Sequence, residues 1–270
     1  MASQIVGISL VRNEDLFISQ AITNVTDFCD KIIILDNCST DNTWREIEGL
    51  KAAFPHVEAY KINDYRQSHN YIADYAGTNT WILGVDGDEI YDPKGLSRLR
   101  KDIFSGKFDD VFLILGNVVH CEHLDVDRLT ARGYSTPESR SMTKLFNFSA
   151  FDAWPGPGER LHAKNRVFAN GYGPEARYVL YEVMPWNDSP FRAIHLCFVK
   201  RSSIDSSDVS NRLQPGELPA WLKMLDRLHL GQYFMKIIQK RQSSWKSEKY
   251  RRGDIVSVDV KAFFSIFDNV

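Results

Sequence analysis

What this chain lacks narrows its chemistry first. Only four cysteines occur in 270 residues, Cys29, Cys38, Cys121 and Cys197. They lie far apart with no Cys-x-x-Cys pair, which argues against a disulfide framework and fits a reducing compartment. No apolar run approaches the roughly 20 residues needed to cross a bilayer. Met1-Ala2-Ser3-Gln4 leads straight into an apolar strand rather than a signal peptide. A soluble, cytoplasmic protein is expected, in which the sequons at Asn24, Asn37 and Asn147 carry no weight. Charge of one sign is also scarce: 33 Lys+Arg against 35 Asp+Glu leave a net charge of −2, and no nucleic acid is expected as a partner. There is no Gly-x-Gly-x-x-Gly or Walker loop, which counts against dinucleotide oxidoreductases and P-loop enzymes. Repeats and low-complexity tracts are absent.

What is present suffices for a core. With 43% hydrophobic and 12% aromatic residues, the length allows one large α/β domain with an appendage, or two small domains. The first part alternates strand and helix. Strands are expected at 5–11, 31–35, 57–62 and 81–85, and helices at 16–28, 43–53 and 67–77, with Gly77 as a C-cap. Ser39, Thr40 or Asp41 offers an N-cap for the second helix. Such alternation predicts a parallel sheet with right-handed crossovers, which binds ligands outside the carboxyl ends of its strands. Arg12-Asn13-Glu14, Asp36-Asn37, Asn63-Asp64 and Asp86-Gly87-Asp88 all fall at those ends.

Beyond Pro93 the pattern changes. A helix is expected at 96–104, one long strand at 111–119, an irregular polar stretch at 120–140, and strands at 143–148 and 191–199. Trp154-Pro155-Gly156-Pro157-Gly158 is a turn cluster, residues 202–216 read as a loop or linker, and 218–238 as an amphipathic helix. The basic run 240–252, with Trp245 and Tyr250 interleaved, could reach acidic polymer, membrane surface or phosphate; a solvated terminal helix is the alternative.

The sharpest feature is Trp81 to Glu89. A doubly buried strand, Trp81-Ile82-Leu83-Gly84-Val85, ends in three carboxylates, Asp86, Asp88 and Glu89. Burying an unpartnered carboxylate costs several kcal/mol or forces it neutral. A hard divalent cation, Mg²⁺ or Mn²⁺ shared with substrate phosphates, would balance them; a solvated acidic turn is the plainer alternative.

Taken together, residues 5–14, 34–43 and 81–89, reading IVGISLVRNE, ILDNCSTDNT and WILGVDGDE, resemble the family 2 glycosyltransferases in order and spacing, over roughly residues 4–92. The resemblance implies the GT-A fold: a Rossmann-like, mostly parallel sheet flanked by helices, with an irregular acceptor side and a C-terminal helical appendage. Residues 1–200 would be the transferase domain, 1–92 its donor half and 93–200 its acceptor half, with 201–270 an appendage for acceptor binding, membrane contact or self-association. It further implies a metal-dependent transfer of sugar from a nucleotide-diphosphate donor, UDP-linked by preference, to a hydroxyl of a saccharide or other acceptor, with inversion.

Carried over residue by residue, the resemblance places Asp36 on the base or ribose, where an Asx-turn is the alternative. Asp86 and Asp88 match the Asp-x-Asp pair that holds Mn²⁺ or Mg²⁺, Asp88 more directly, with Asp86 also near the ribose. Arg12, Asn13 and Glu14 would line the nucleotide pocket, and Arg66 and Asn70 would add polar contacts unless they simply sit at an exposed helix start. His195 would complete the metal site, a core histidine being the commoner fate; His162 is a weaker candidate for that role.

An inverting transferase needs a carboxylate base. Glu159 is the leading candidate, followed by Asp152, Glu175 and Glu182, and a solvated loop glutamate is the alternative. The Arg160-Leu161-His162 segment resembles the family's Gly-x-x-His-Glu region, but Ala163 stands where the glutamate is expected. His120-Cys121-Glu122-His123 is spaced too tightly for all to reach one zinc ion, and reads as pocket wall or acceptor-site material. Two rival functions remain: a sugar-1-phosphate nucleotidyltransferase, which would need a Gly-rich basic loop where Val11 to Asp15 stands, and a non-catalytic nucleotide- or sugar-binding protein.

Overall fold

Four apolar segments build the first half. β1 (Gln4–Val11), β2 (Lys31–Asn37), β3 (Val57–Ile62) and β4 (Thr80–Val85) lie parallel in the order β4-β1-β2-β3. The computed structural model describes residues 3–141, 143–163, 165–204 and 248–264. Alternate residues of each strand feed two separate core layers, Ile5, Ile32 and Leu83 on one face and Val6, Ile33 and Ile82 on the other. That double burial is why these strands read as continuous apolar runs. The register sets Val11 beside Asp36 and Ser9 beside Val85, so three carboxyl ends share one rim.

The connectors differ from expectation in detail. α1 is short, Ile18–Thr23, while α2 covers Thr43–Ala53 as anticipated. Its N-cap position is Asn42, without a side-chain cap; Asp41 instead accepts the Thr43 N–H at 2.9 Å. The helix expected over 67–77 is two 3₁₀ turns, Tyr65–Tyr71 and Ala73–Tyr75. Local side-chain bonds explain this: Asp64 accepts the Arg66 N–H at 3.0 Å, and Ser68 Oγ donates to the Tyr65 carbonyl at 2.6 Å. Gly77 does adopt the left-handed φ of +73° that the cap reading required.

A second sheet begins where the acidic segment ends. β5 (Glu89–Tyr91) follows Asp86-Gly87-Asp88 directly, and α3 (Pro93–Phe104) starts with Asp92 accepting the Lys94 N–H at 3.0 Å. The strand expected at 111–119 is two: β6 (Leu113–Leu115) in the first sheet and β7 (Asn117–Asp125) in the second. The break is at Gly116, where a Cβ would collide with the Phe191 carbonyl oxygen. The stretch expected to be irregular from 120 is a hairpin of β7 with β8 (Thr130–Ser135). The first five residues of β7 are all buried while its far end and β8 carry the exposed polar side chains, so composition alone hides the pairing.

β9 (Lys144–Asn147) returns antiparallel between β4 and β6. β10 (Phe151–Ala153) and β11 (Val167–Phe168) form a small ribbon, and β12 (Arg177–Val179) precedes the one-turn α4 (Leu180–Val183). The strand expected at 191–199 is shorter, β13 (Arg192–His195), parallel to β7 and antiparallel to β5. β14 (Ile255–Asp259) pairs with β8, and α5 (Lys261–Phe264) follows. Among the described residues the first sheet is thus seven-stranded and mixed, the second five-stranded.

Residues 248–264, expected in a separate appendage, pack into the second sheet. Phe263 is fully buried and its ring stacks on Trp186 at 5.9 Å. Asn24 Nδ2 donates to the carbonyls of Tyr91 and Phe263, both at 2.7 Å. Asn24, Asn37 and Asn147 are all buried, an independent reason to discount the sequons. The helix expected at 218–238 lies outside the described residues. Among them, no helix is long and apolar enough to cross a membrane.

Candidate functional site

The passage from β4 to β5 forms one wall of a cleft of about 330 Å³. Five acidic side chains line it, Glu14, Asp86, Asp88, Glu89 and Glu159, against five cationic ones, Arg140, Lys144, Arg160, Arg201 and Lys249. Such near-balance in a narrow space means that each charge is set by its neighbours. Asp86 accepts from Arg160 Nη2 at 2.5 Å. Burial pushes its carboxyl up, but the Arg160 charge outweighs that and holds it at about 2. Asp88, 2% exposed, accepts from Arg201, whose guanidinium also lies 3.6 Å from Glu14 Oε1. Burial, reinforced by the charge of Asp86, pushes Glu89 well above the usual carboxylate range; Tyr91 donates to it at 2.8 Å. Burial lowers Lys144, with Asp86 and Glu89 opposing.

His195, at the end of β13, places Nε2 3.6 Å from Asp88 Oδ2. Parallel register sets it beside His120 of β7, and the two Nδ1 atoms are 2.9 Å apart. The Tyr250 ring stacks on His120 with centroids 4.5 Å apart. Burial pushes the His120 imidazole down to about 3.

Of the residues anticipated from the sequence, Glu14, Asp86, Asp88, Glu159 and His195 meet in this cleft, as does His162. Glu159 Oε1 accepts from Arg160 Nη2 at 3.1 Å. Asp36 is buried on the rim, where its Oδ1 accepts the Ser39 N–H at 3.2 Å, the Asx-type turn held open as an alternative. Asn13, at a φ of +54°, ties the same loop by accepting the Thr40 N–H at 2.7 Å. Arg12 is exposed beside it.

The structure does not bring Arg66, Asn70 or Asp152 to this cleft. Arg66 is exposed and paired with Asp64 at 2.5 Å; Asn70 is exposed on the 3₁₀ turn, which rotates these side chains away from the helical face expected. Asp152 projects to solvent from β10, and Glu175 and Glu182 are exposed elsewhere. Conversely, Arg201, Arg140 and Lys144 were missed, and the basic run that holds Lys249 and Tyr250 was not tied to this site. They come from scattered segments with no spacing signal, and β9 of the first sheet and the second sheet together gather them. His120, set aside as pocket wall, does line this region, but through His195 rather than through its sequence neighbours.

Asp88 Oδ2 and His195 Nε2 lie 3.6 Å apart, but Asp86 does not join them in a group of ligand atoms compact enough to share one ion. Arg201 supplies the counter-charge to Asp88 in this structure.

A mixed sheet with a four-strand parallel half and a charged cleft at its strand ends defines an α/β enzyme architecture. The family model described as Glycosyl transferase family 2 matches residues 8–156, and the chain belongs to that family, with its GT-A fold. The chain is 34% identical over 238 residues to the SPbeta prophage-derived glycosyltransferase SunS of Bacillus subtilis (strain 168), covering 82% of this chain and 48% of that protein. The same figures hold for Glycosyltransferase SunS of Bacillus phage SPbeta. The chain therefore spans about half the length of these curated relatives. Among solved structures, S. aureus TarS 1-349 in complex with UDP aligns at a TM-score of 0.44 and 14% identity, covering 71% of this chain and 60% of that one.

Proposed function

We propose that this chain transfers a sugar from a nucleoside-diphosphate donor, UDP-linked by preference, to an acceptor hydroxyl with inversion. Family membership supports sugar transfer, and one observation carries the finer reading: Asp86, Asp88, His195 and Glu159 share a single cleft with five cationic side chains. Residues 1–92 hold the donor, with Asp36 accepting from the base or ribose at the rim. Arg12, Asn13 and Glu14 shape the loop beside it. Arg201 and Arg160 are placed to bind diphosphate oxygens, for which a guanidinium fork is well suited. Asp88 and His195 would hold Mn²⁺ or Mg²⁺, which when bound supplies Lewis-acid neutralisation of the departing diphosphate.

Glu159 is the proposed base. Its carboxylate takes the proton of the acceptor hydroxyl as that oxygen attacks the anomeric carbon, and the nucleoside diphosphate leaves from the opposite face. Arg160, bonded to Glu159 and Asp86 alike, orients the base against the donor wall. The acceptor side is built from residues 93–200 together with Lys249 and Tyr250.

The test is calorimetry of UDP with the full chain, with and without Mn²⁺, followed by a donor screen that reads nucleoside diphosphate release. Metal-dependent binding lost in Asp88→Ala, and turnover lost but binding kept in Glu159→Gln, are the expected results. Nucleotide binding that ignores Mn²⁺ would sink the metal-dependent reading; metal-dependent binding with no turnover for any donor would favour a non-catalytic binding protein.

A further inference from the structure

We propose that His120, His195 and Cys197 form a second metal site, selective for a thiophilic ion of the Zn²⁺ class, behind the imidazole that faces Asp88. This goes beyond the transfer reaction and needs no nucleotide.

The backbone brings the donors together. Parallel register puts His120 directly beside His195, and Cys197 follows two residues after His195. Cys197 Sγ lies 3.9 Å from His120 Nδ1, and all three donor atoms lie within 4.8 Å of one another. Tetrahedral zinc, with Zn–N about 2.1 Å and Zn–S about 2.3 Å, sets N···N at about 3.4 Å and N···S at about 3.6 Å. The Nδ1···Nδ1 and Nδ1···Sγ separations are each within about half an ångström of these.

The outer ring nitrogen strengthens the case. His120 Nε2 donates to the Arg140 carbonyl at 2.7 Å, so its Nδ1 carries a lone pair. His195 Nδ1 lies 2.9 Å from that nitrogen, so one cation, a proton or a metal ion, is shared between the two rings. A proton makes no use of the nearby thiol. A carbonyl partner on the outer nitrogen, as His120 has, is what metal-ligating histidines generally have. The donors are buried, His120 at 0%, His195 at 6% and Cys197 at 9% exposure. Arg201 lies close enough to Cys197 to interact with it electrostatically. Two nitrogens and a thiolate select a soft ion over Mg²⁺.

The experiment is Co²⁺ titration of the metal-stripped full chain without nucleotide. The expected result is a near-ultraviolet thiolate-to-cobalt charge-transfer band with intense tetrahedral visible bands, both displaced by Zn²⁺. Both are lost in Cys197→Ser and His120→Gln and retained in Cys38→Ser, since Cys38 is the exposed thiol. Should the variants fail to fold, alkylation of the wild-type chain decides: Zn²⁺ protects Cys197 and Mn²⁺ does not. No charge-transfer band, a band that survives Cys197→Ser, or equal alkylation with and without Zn²⁺ overturns the site. Failure of UDP binding would leave all these readouts intact, so the two proposals fail separately.

Discussion

Replacing Arg160 with Met keeps most of the aliphatic stem but removes the charge that balances Asp86. In the native chain Arg160 is 8% exposed and donates to Asp86, to Glu159 and, at 3.3 Å, to the Val85 carbonyl. Breaking a buried ion pair from one side costs about 3–5 kcal/mol, because the remaining charge is left uncompensated. Asp86 keeps 31% of its side chain exposed, so water screens part of that. About 2–3 kcal/mol is the resulting expectation at neutral pH.

The pH dependence gives the charge its own signature. Asp86 is depressed from 3.8 to about 2, so its native contribution is present above about pH 4 and lost as pH falls towards 2. Without Arg160 the dominant cause left is burial, which raises the carboxyl above its ordinary value. The penalty in Arg160→Met is then relieved as pH falls through that raised value, and the gap to wild type narrows with acid. Urea denaturation over a pH series measures this, together with a cycle against Asp86→Asn, in which Arg160→Met should cost about 1 kcal/mol or less. Additive losses in the cycle, or a gap that does not change with pH, would refute the assignment.

Two further substitutions probe the frame. Gly116→Ala forces a Cβ against the Phe191 carbonyl oxygen and should lower stability by about 2–4 kcal/mol in denaturant unfolding; a neutral result would contradict the close approach. Asn24→Ala removes the amide that donates to the Tyr91 and Phe263 carbonyls, the latter keeping only Gln20 Nε2 at 3.1 Å among side-chain donors, and should cost about 2 kcal/mol, a fall in Tm of about 4–8 °C. An unchanged Tm would mean that those bonds contribute nothing net.

The donor half was legible because its strands are buried on both faces and punctuated by polar ends. Residues 57–62 and 43–53 fall where the pattern put them. The helix at 67–77 misled because Ser68 and Asp64 bond their own backbone, a competition that a 3.6-residue period does not register. Val111 to Val119 read as one strand because both halves are apolar; only the proximity of Phe191, 75 residues later in the chain, makes Gly116 a corner. The candidate site was legible on its acidic side, where Asp86 and Asp88 sit at a strand end. Its cationic side was not, since Arg160 arrives from the loop between β10 and β11, held by Ser68 and the Val85 carbonyl, while Arg201 and Lys249 come from segments that follow β13 and precede β14. His120 shows the same limit, its partner being His195 across the sheet rather than His123 along it.

The Asp86-Gly87-Asp88 passage has a mechanical meaning. Asp86 follows the last residue of β4 in the first sheet and Asp88 precedes the first residue of β5 in the second, and one turn, in which the Asp86 carbonyl accepts the Glu89 N–H at 3.0 Å, joins them. Both carboxylates therefore stand on the hinge of chain that links the two sheets, and Asn24, bonded to the Tyr91 and Phe263 carbonyls, ties the far end of β5 to α5.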